Sequence, residues 1–475
     1  MIEKAGFMYL LGKRIKKEKE VSVINPYNNQ VVKKLGLSDN KDVSKAVEIA
    51  KTGFNILKNM SAGERATILE RTAEIIKARK EEFAKTISLE SGKTINEARG
   101  EVGRAINTMK LSAIAAIKLT GETVRFDLGG QSTKIGFYIR VPLGIVLAIT
   151  PFNFPLNLTC HKIGPAIAAG NAVIHKPATK TPVSGVKLAE ALVEAGLPKQ
   201  GISVLVGSGS KVGMNLVKQP EIKKISFTGS LEVGKLITEN CGIKRITLEL
   251  GSNSALVVFK DAPLNLVAKK VRKGGYTLAG QVCISIQRVY VEEDIADEFL
   301  RELSIEAGKI KYGDPLLDDT EMGPMIDEAA IHKAEKFCED GLKHGGILIL
   351  GGKRDGSIFL PTIIFNVAEN ALVIQEEAFA PIVAVNKFKT VDEAIAKVNN
   401  TKYGLQAGVF TKDITKALKC AQGIDAGGVL INEFPTFRVD NMPYGGTKGS
   451  GIGREGPDFA IREMTEEKLI ILDQL

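Results

Sequence analysis

From residue 135 onward, short apolar runs rich in β-branched residues alternate with longer stretches of helical periodicity, and this alternation constrains the fold most. The predicted strands are 144–150, 172–175, 202–206, 224–227 and 246–250. The predicted helices are 155–169, 181–195, 210–218 and 231–240. Repeated strand–helix–strand units of this length indicate an α/β fold, in which helices cover both faces of a parallel sheet. Ligands of such sheets bind at the carboxyl ends of the strands.

The regions before and after this series complete the predicted architecture. A second alternation runs from residue 255 to about residue 428, with helices after Pro263 and from Asp294 and a strand at 289–291. The first 120 residues are mainly helical, with apolar residues at helical spacing over 43–54 and further helices at 63–79 and 95–117. Residues 121–140 alternate as a hairpin around two glycines, and 469–472 form an apolar strand. Neither of these last two has an evident partner nearby in the chain.

The composition argues against nucleic-acid and membrane proteins. The formal charge of +9 over 475 residues is mild, and the densest basic run, residues 13–19, is predicted to be a solvated turn between edge strands. With 6% aromatic residues and no tryptophan, no nucleic-acid surface is expected. Residues 141–160 carry no charge, but Pro142, Pro151 and Pro155 would break a spanning helix, so no membrane segment is expected.

Cysteine and histidine usage favours a reducing compartment and chemistry without a metal. The five cysteines are odd in number and scattered, and no C-x-x-C motif occurs. This pattern argues against disulfides and structural zinc, and it favours a cytoplasmic location. His332, Cys338 and His344 are six residues apart, which places them on different faces of a helix, so no metal site is expected. The N-terminal residues lack the apolar run of a signal peptide.

Four short motifs carry residues that can do chemistry, and each has an alternative interpretation. Cys283 is a candidate nucleophile or a buried structural thiol. Glu249, at the end of a predicted strand, is a general base or a solvated carboxylate. Asn153 is an oxyanion donor or a turn residue that satisfies its own backbone. Gly229 and Ser230 open a predicted helix, where they bind phosphate or simply cap the helix.

These motifs are part of a longer ordered series. The series is Thr150-Pro-Phe-Asn-Phe-Pro, His175-Lys-Pro-Ala, Phe227-Thr-Gly-Ser, Leu248-Glu-Leu-Gly, Gly280-Gln-Val-Cys, Glu376-Glu-Ala-Phe-Ala-Pro and Pro443-Tyr-Gly-Gly-Thr-Lys-Gly-Ser-Gly. It closely resembles the aldehyde dehydrogenase superfamily, from about Asn25 to the C-terminus. The interval of 34 residues between Glu249 and Cys283 is also that of the family.

The resemblance implies an oxidoreductase that converts a small aldehyde to the carboxylic acid with NADP or NAD, through a thioester on Cys283. Glu249 would activate the hydrolytic water, and Asn153 would form the oxyanion hole with the Cys283 backbone N–H. The residues expected to bind the cofactor are Thr150, Phe152, Lys176, Thr179, Gly229, Ser230, Leu250, Glu377 and Phe379. Many members have Trp in place of Phe152, and NAD-preferring members often have Glu in place of Thr179. With Lys176 and Lys180 close in sequence, the neutral Thr179 favours acceptance of NADP.

The resemblance also implies a domain organisation. A Rossmann-like cofactor domain with a parallel sheet would span residues 1–118 and 141–249, and an α/β catalytic domain would span 250–446. A small β oligomerisation arm would consist of residues 119–140 and 464–475. In the family this arm joins subunits, so a homodimer or homotetramer is expected, with the tail of one chain added to the sheet of its neighbour.

The substrate is expected to be of the lactaldehyde, glyceraldehyde or semialdehyde type, because the segment from Phe434 to Pro443 resembles members that act on small hydroxylated or anionic aldehydes. Arg438 is the first candidate to clamp an anion and Arg104 the second, whereas a structural pair between Arg438 and Asp440 is the alternative. Three other functions stay open. They are a CoA-acylating semialdehyde dehydrogenase, against which Glu249 argues, a non-catalytic binding protein on the same fold, and a cysteine hydrolase without a nicotinamide requirement.

Overall fold

The computed structural model describes residues 7–130 and 133–473. Parts of the predicted cofactor domain (residues 1–6) and of the predicted arm (131, 132, 474 and 475) lie outside the described residues. Residues 7–118 form β1 (Phe7–Leu10), β2 (Lys13–Lys16), β3 (Glu20–Ile24), β4 (Val31–Gly36), α1 (Asn40–Leu57), α2 (Ala62–Ala78), α3 (Lys80–Ser91) and α4 (Ile95–Lys118).

The predicted helices of this region are confirmed, and each begins at a side chain that caps its first turn. Asp39, Ser61 and Thr94 form capping boxes at α1, α2 and α4. Helix α3 was not predicted, because Arg79 alone separates it from α2 and no turn signal marks the break. The prediction for residues 13–19 is partly wrong, since residues 13–16 are themselves the edge strand β2.

The alternating series that follows is confirmed, with boundaries that shift by a few residues. Its elements are β5 (Glu122–Val124), β6 (Lys134–Pro142), β7 (Ile145–Ile149), α5 (Asn157–Ala168), β8 (Ala172–Lys176), α6 (Val183–Glu194), β9 (Ile202–Val204), α7 (Met214–Lys218), β10 (Ile222–Thr228), α8 (Leu231–Asn240) and β11 (Arg245–Glu249). A single π-helical turn over Gly209–Gly213 precedes α7. Strands β7 and β8 are buried along their whole length, as expected of a sheet covered on both faces.

The remaining residues form a second α/β unit and a short C-terminal region. The elements are β12 (Ala255–Val258), α9 (Leu264–Tyr276), β13 (Arg288–Glu292), α10 (Ala296–Gly308), α11 (Glu328–Lys343), β14 (Ile347–Leu350), β15 (Arg354–Asp355), β16 (Ile358–Phe359), β17 (Thr362–Phe365), α12 (Leu372–Gln375), β18 (Ile382–Phe388), α13 (Val391–Asn399), β19 (Gln406–Phe410), α14 (Ile414–Gly423), β20 (Gly428–Ile431), β21 (Gly451–Ile452), α15 (Pro457–Glu463) and β22 (Thr465–Asp473).

Two large sheets organise the molecule, and the first places a ligand crevice by its topology. Its eight strands have the order β2-β1-β9-β8-β7-β10-β11-β21, and β9, β8, β7, β10 and β11 are parallel. The strand order reverses between β7 and β10, and ligands of α/β sheets bind outside such a switch point. The second sheet has seven strands in the order β14-β17-β18-β13-β12-β19-β20, and only β14 is antiparallel to its neighbour.

A third sheet joins the predicted hairpin to the C-terminal strand of the same chain. The hairpin is confirmed as β5 and β6, and β22 pairs antiparallel with β6 along nine residues, from Thr465 opposite Pro142 to Asp473 opposite Lys134. The hairpin and the tail, for which no partner was evident nearby in the chain, therefore pair with each other across more than 300 residues of sequence. Helix α15 packs against α4 and α5 and returns the chain to the end of β6, a long-range contact that local patterns do not reveal.

No helix within the described residues combines the length and the apolar character that crossing a membrane requires.

Candidate active site

The loop after β7 holds Asn153 in a buried position against the segment that carries Cys283. Asn153 is 3% exposed, and its Nδ2 donates a hydrogen bond of 2.8 Å to the Gln281 carbonyl. The buried Glu101 carboxylate accepts hydrogen bonds of 2.9 and 3.0 Å from the backbone N–H groups of Leu156 and Asn157. A carboxylate at these free N–H groups stabilises the start of α5. The loop is thus fixed at both ends.

A left-handed turn directs the cysteine segment. Leu278, Ala279 and Gly280 have φ angles of 47°, 51° and 70° in succession. Residues with side chains adopt this conformation only where other contacts hold it, and here the Glu97 carboxylate accepts a 3.0 Å hydrogen bond from the Leu278 N–H. A Cβ at Gly280 would lie 2.1 Å from the Ala380 carbonyl oxygen, so only glycine fits at this position. The turn therefore fixes where the cysteine three residues later emerges.

Cys283 is half-buried, and its sulfur contacts a phenol. The Cys283 Sγ lies 3.0 Å from the Tyr444 hydroxyl. Burial raises the pKa of Cys283 from 9.0 to about 11, while the Tyr444 hydrogen bond and the Arg438 charge act in the opposite direction. A thiolate is the nucleophilic form, so the environment of this thiol decides how much of it is reactive at neutral pH.

Glu249 ends strand β11 and is 3% exposed. Neither of its carboxyl oxygens has a hydrogen-bond partner among the residues that the structure describes. Burial raises its pKa well above the usual range, and the nearby Glu455 carboxylate raises it further. The protonated form of Glu249 is therefore favoured more than it would be in an exposed glutamate. A water molecule that enters beside it would supply the missing hydrogen bonds.

Glu455 is the charged centre behind Glu249, and sequence reasoning did not find it. It is 2% exposed and lies 2.7 Å from Lys162 Nζ and 3.0 Å from Arg438 Nη2. Burial acts to raise the pKa of Glu455, but the two cations outweigh it and lower the pKa to about 2. Lys162 lies on α5 without any motif around it, so the sequence held no signal for this cluster.

Arg438 and Asp440 do not form the structural pair that was considered. The Asp440 carboxylate accepts hydrogen bonds from Arg104 at 2.7 Å and from the Asn157 amide at 3.2 Å, and it lies 3.0 Å from His161 Nε2. Arg438 turns to Glu455 because the chain folds back after Tyr444. The backbones of Tyr444 and Glu455 bond to each other at 3.1 and 2.6 Å and bring that carboxylate to Arg438.

A cavity of about 690 Å³ opens in front of Cys283. Its walls include the aromatic rings of Phe154, Phe434, Phe437 and Tyr444, the cations Lys93, Arg104, Lys273 and Arg438, and the carboxyl groups Glu97 and Glu101. Glu101 is neutralised by Lys93 at 2.5 Å, and burial raises the pKa of Glu97. The Arg104 side chain is 30% exposed and Arg438 only 6%. Both predicted substrate arginines thus line this cavity, and each is paired with a carboxylate behind it, Arg104 with Asp440 and Arg438 with Glu455.

Seven of the predicted cofactor residues, all except Glu377 and Phe379, lie at or just beyond the carboxyl ends of strands of the first sheet. Lys176, at the end of β8, is 5% exposed, and burial lowers its pKa to about 8. The Thr179 hydroxyl donates a 3.0 Å hydrogen bond to the Gly207 carbonyl. Lys180 forms an ion pair with Asp327 at the start of α11, so it is less available to a cofactor phosphate than its position in the sequence suggested.

The turn between β10 and α8 has the features of a phosphate site. Ser230 caps α8 by accepting a hydrogen bond from the Val233 N–H, which leaves other N–H groups of the first turn free. The Thr228 hydroxyl beside them is buried and has no partner within the described part of the chain. The capping role of Ser230 is thus observed, and it is compatible with the predicted phosphate contact, because a capped helix start still attracts anions.

Glu377 and Phe379 belong to the segment before β18, and Phe379 meets the ring of Phe152 in the loop after β7. The Glu377 carboxylate accepts a 3.0 Å hydrogen bond from the Ser252 N–H, and burial raises its pKa to about 7. A Cβ at Gly251 would lie 2.7 Å from Glu377 Oε2, so this glycine makes room for the carboxylate. The rings of Phe152 and Phe379 meet edge to face, with centroids 5.9 Å apart.

Two further predicted residues tie neighbouring strand ends together. The Thr150 hydroxyl lies 2.9 Å from His175 Nε2, which joins the end of β7 to β8. The Leu250 N–H donates a 2.9 Å hydrogen bond to the Ser450 carbonyl, and Leu250 is buried. Within the described ranges, His, Cys, Asp and Glu side chains form no group of three or more that could hold a metal ion.

Comparisons with known proteins agree on one family. The model of the aldehyde dehydrogenase family matches residues 14–470. A 3-sulfolactaldehyde dehydrogenase from Priestia aryabhattai is 43% identical over 468 residues, which cover 98% of either chain. A lactaldehyde dehydrogenase from Methanococcus maripaludis is 41% identical over 472 residues, covering 98% of this chain and 100% of the relative. The crystal structure of the glyceraldehyde-3-phosphate dehydrogenase GapN from Methanocaldococcus jannaschii, complexed with NADP, is similar with a TM-score of 0.93 at 40% identity, covering 96% of this chain and 100% of that chain.

Proposed function

The chain belongs to the aldehyde dehydrogenase family, and we propose that it oxidises a small aldehyde bearing an anionic group to the carboxylic acid. It is an NAD(P)-dependent dehydrogenase of small aldehydes. The observation that carries the finer assignment is the cavity in which Cys283 shares the walls with four cationic side chains. Sulfolactaldehyde and glyceraldehyde 3-phosphate, named for two relatives, are anionic three-carbon 2-hydroxyaldehydes, and lactaldehyde is the neutral counterpart.

Cys283 is the proposed nucleophile. Its thiolate attacks the aldehyde carbon and forms a thiohemiacetal whose oxygen becomes negative, so two hydrogen-bond donors are needed beside it. A side-chain amide has two N–H groups, and Asn153 uses one of them on the Gln281 carbonyl, which leaves the second for this oxygen together with the Cys283 backbone N–H. Loss of one such donor typically costs about 100- to 1,000-fold in rate.

The residues at the crevice fit a nicotinamide dinucleotide. The free N–H groups beside Gly229 and Ser230 and the unpartnered Thr228 hydroxyl suit a pyrophosphate, and Lys176 and Glu377 suit ribose hydroxyls. The cofactor, when bound, supplies the acceptor for the hydride that leaves the thiohemiacetal. The walls of this site are completed by apolar groups, Leu250 and the rings of Phe152 and Phe379, and by the polar Thr150.

Glu249 is the proposed base for hydrolysis of the thioester. Its carboxyl group is buried beside the cysteine site and accepts no hydrogen bond from the described residues, so it can receive the proton of one water molecule. Burial raises the pKa of Glu249, and a higher pKa makes the ionised carboxylate a stronger base towards water. The presence of Glu249 favours water over CoA as the acyl acceptor. CoA transfer stays the second candidate, because the reactive thioester is the same.

We place NADP before NAD as the cofactor. Thr179 presents no charge to a 2′-phosphate, and Lys176 is the nearby cation that remains free of a carboxylate partner, since Lys180 is paired with Asp327.

The first sheet would bind the cofactor, which supports the predicted domain of residues 1–118 and 141–249. The second sheet would carry the catalytic segment of 250–446. All five cysteines are free thiols, which supports a cytoplasmic location.

The proposed assembly is a homodimer or homotetramer built through the arm sheet. This sheet ends at β22, a nine-residue edge strand, and a long exposed edge of this kind invites pairing with another chain. The arm exposes a set of large apolar side chains, Val124, Ile135, Ile139, Leu469, Ile471 and Leu472, which are 38–57% accessible in one chain. A second copy that covers them would bury this surface with the closed symmetry usual for soluble oligomers.

Replacing Arg104 with Gln tests the substrate class. The neutral amide cannot pair with an anion, so kcat/KM for 3-sulfolactaldehyde or glyceraldehyde 3-phosphate should fall roughly 10- to 100-fold, while kcat/KM for lactaldehyde changes less than about 3-fold. Initial rates of cofactor reduction over a panel of these aldehydes, with NADP and with NAD, give the values.

Two controls accompany this panel. Arg99→Gln removes an arginine of similar exposure from the same helix, where it pairs with Glu81 and Asp318, and should leave all rates unchanged. Cys283→Ala should be inactive with every aldehyde while it still binds the cofactor, because no covalent intermediate can form. An equal loss on neutral and anionic aldehydes in Arg104→Gln would make its pairing with Asp440 purely structural. Turnover by Cys283→Ala would refute the nucleophile.

Replacing Thr179 with Glu tests the cofactor assignment. The new carboxylate would repel a 2′-phosphate and accept a hydrogen bond from a 2′-hydroxyl, so the ratio of kcat/KM for NADP to that for NAD should fall at least about 10-fold. Thr179→Gln is the matched control, since it has the same size without the charge. A ratio that stays the same in the Glu variant would locate cofactor selectivity elsewhere in the crevice.

Deleting residues 467–475 tests the assembly. Light scattering should give the full-length protein a mass that is a multiple of 51.1 kDa. The truncated protein should approach the mass of one chain and unfold at a lower temperature, since the oligomer buries what the single chain exposes. The double substitution Leu469→Glu and Ile471→Glu keeps the backbone pairing with β6 and should also weaken assembly. A full-length mass near 51.1 kDa would contradict the proposal.

A further inference from the structure

Tyr444 is the side chain that meets the Cys283 sulfur, and no role follows for it from the reaction as described so far. Its hydroxyl lies 3.0 Å from Sγ, and the residue is 2% exposed. Either group can be the donor while the cysteine is a thiol. Once the thiol has lost its proton, only the phenol can donate, because a thiolate is an acceptor alone.

The Tyr444 ring is held in place from two sides. The guanidinium of Arg438 lies over the ring, 3.7 Å from its centroid, and the Tyr444 backbone is bonded to the Glu455 backbone in both directions. Glu455 in turn fixes Arg438 through the 3.0 Å ion pair. Rotation of the ring away from the sulfur would therefore have to disturb a buried cluster of charges. Burial also keeps the pKa of Tyr444 well above its usual value, so the phenol retains its proton at any working pH.

From this geometry we propose that Tyr444 is a further catalytic residue, whose hydroxyl donates a hydrogen bond to the Cys283 thiolate, and that Arg438 is the positioning residue of its ring. The proposal rests on Cys283 as the nucleophile of the proposed function. It assigns Arg438 a task besides lining the cavity, and it explains why a buried arginine is stacked on a ring instead of facing the substrate with its whole guanidinium.

The hydrogen bond would act at two steps. Before attack it stabilises the thiolate, whose electron pair then forms the bond from sulfur to the aldehyde carbon. At the end of hydrolysis the bond between carbon and sulfur breaks, the electron pair leaves with the sulfur, and the Tyr444 hydroxyl again donates to the thiolate. The phenol keeps its proton throughout, and the product acid takes its oxygen from water. Both steps should slow when the hydroxyl is removed.

The test is the pH dependence of Cys283 alkylation by iodoacetamide in wild type and Tyr444→Phe, measured as modification of the peptide that contains Cys283. Phenylalanine keeps the ring and its stacking on Arg438. The titration midpoint should rise by about one to two pH units, and the rate at a fixed pH below it should fall roughly 10- to 100-fold. The other charges that face this thiol, Arg438, Glu249 and Glu377, are the same in both proteins.

Tyr9→Phe is the matched control, since it removes a buried phenol hydroxyl from the first sheet and should leave the midpoint unchanged. An unchanged midpoint in Tyr444→Phe would show that the ring only fills space. A lowered midpoint would show that the phenol accepts from the thiol and stabilises the unreactive form. Either result overturns the proposal. The nucleophile itself is judged separately, by the inactivity of Cys283→Ala, so failure of one assignment does not hide the other.

Discussion

The rest of the site depends on the buried ion pairs that the Glu455 carboxylate forms with Lys162 and Arg438. A charge without solvent is stable only when it is paired, and removing one partner of a buried pair typically costs about 3–5 kcal/mol. Lys162 and Arg438 provide that pairing at 2.7 and 3.0 Å. These ion pairs affect both the proposed base, Glu249, and the proposed nucleophile, Cys283. Burial and, after it, the Glu455 charge raise the pKa of the Glu249 carboxyl, and Arg438 fixes the ring of Tyr444 against the Cys283 sulfur.

Sequence reasoning succeeded where structure and chemistry are local. The strands and helices between residues 144 and 250 follow from apolar periodicity and from turn residues, and the structure reproduces them with small shifts. Asn153, Gly229 and Glu249 lie at or shortly after the carboxyl ends of β7, β10 and β11, so the topology of the parallel sheet brings them to one edge. Cys283 reaches the cavity because its segment carries a glycine at a position where no Cβ fits.

The remainder depends on contacts between distant parts of the chain. Lys162 and Glu455 are 293 residues apart, and no local pattern marks either residue as charged and buried. The same limit applies to Arg438, because sequence proximity points to Asp440 as its partner, whereas the fold brings Glu455 to it. Strand β22 was recognised as a strand, but its partner β6 lies more than 300 residues away along the chain. Pairing of this kind is set by tertiary packing, which α15 provides here.

The most direct test of this account is to mix Glu249→Gln rapidly with aldehyde and NADP and to monitor its first turnover. Glutamine keeps the size of Glu249 but cannot take a proton from water, so acylation should proceed normally while hydrolysis fails. The trace should show a burst of about one reduced cofactor per active site, then slow turnover, and the peptide that contains Cys283 should carry the acyl group. Glu18→Gln, an exposed carboxylate in the turn between β2 and β3, should behave as wild type. Equal loss of the burst and of the steady-state rate, without an acyl adduct, would contradict the account.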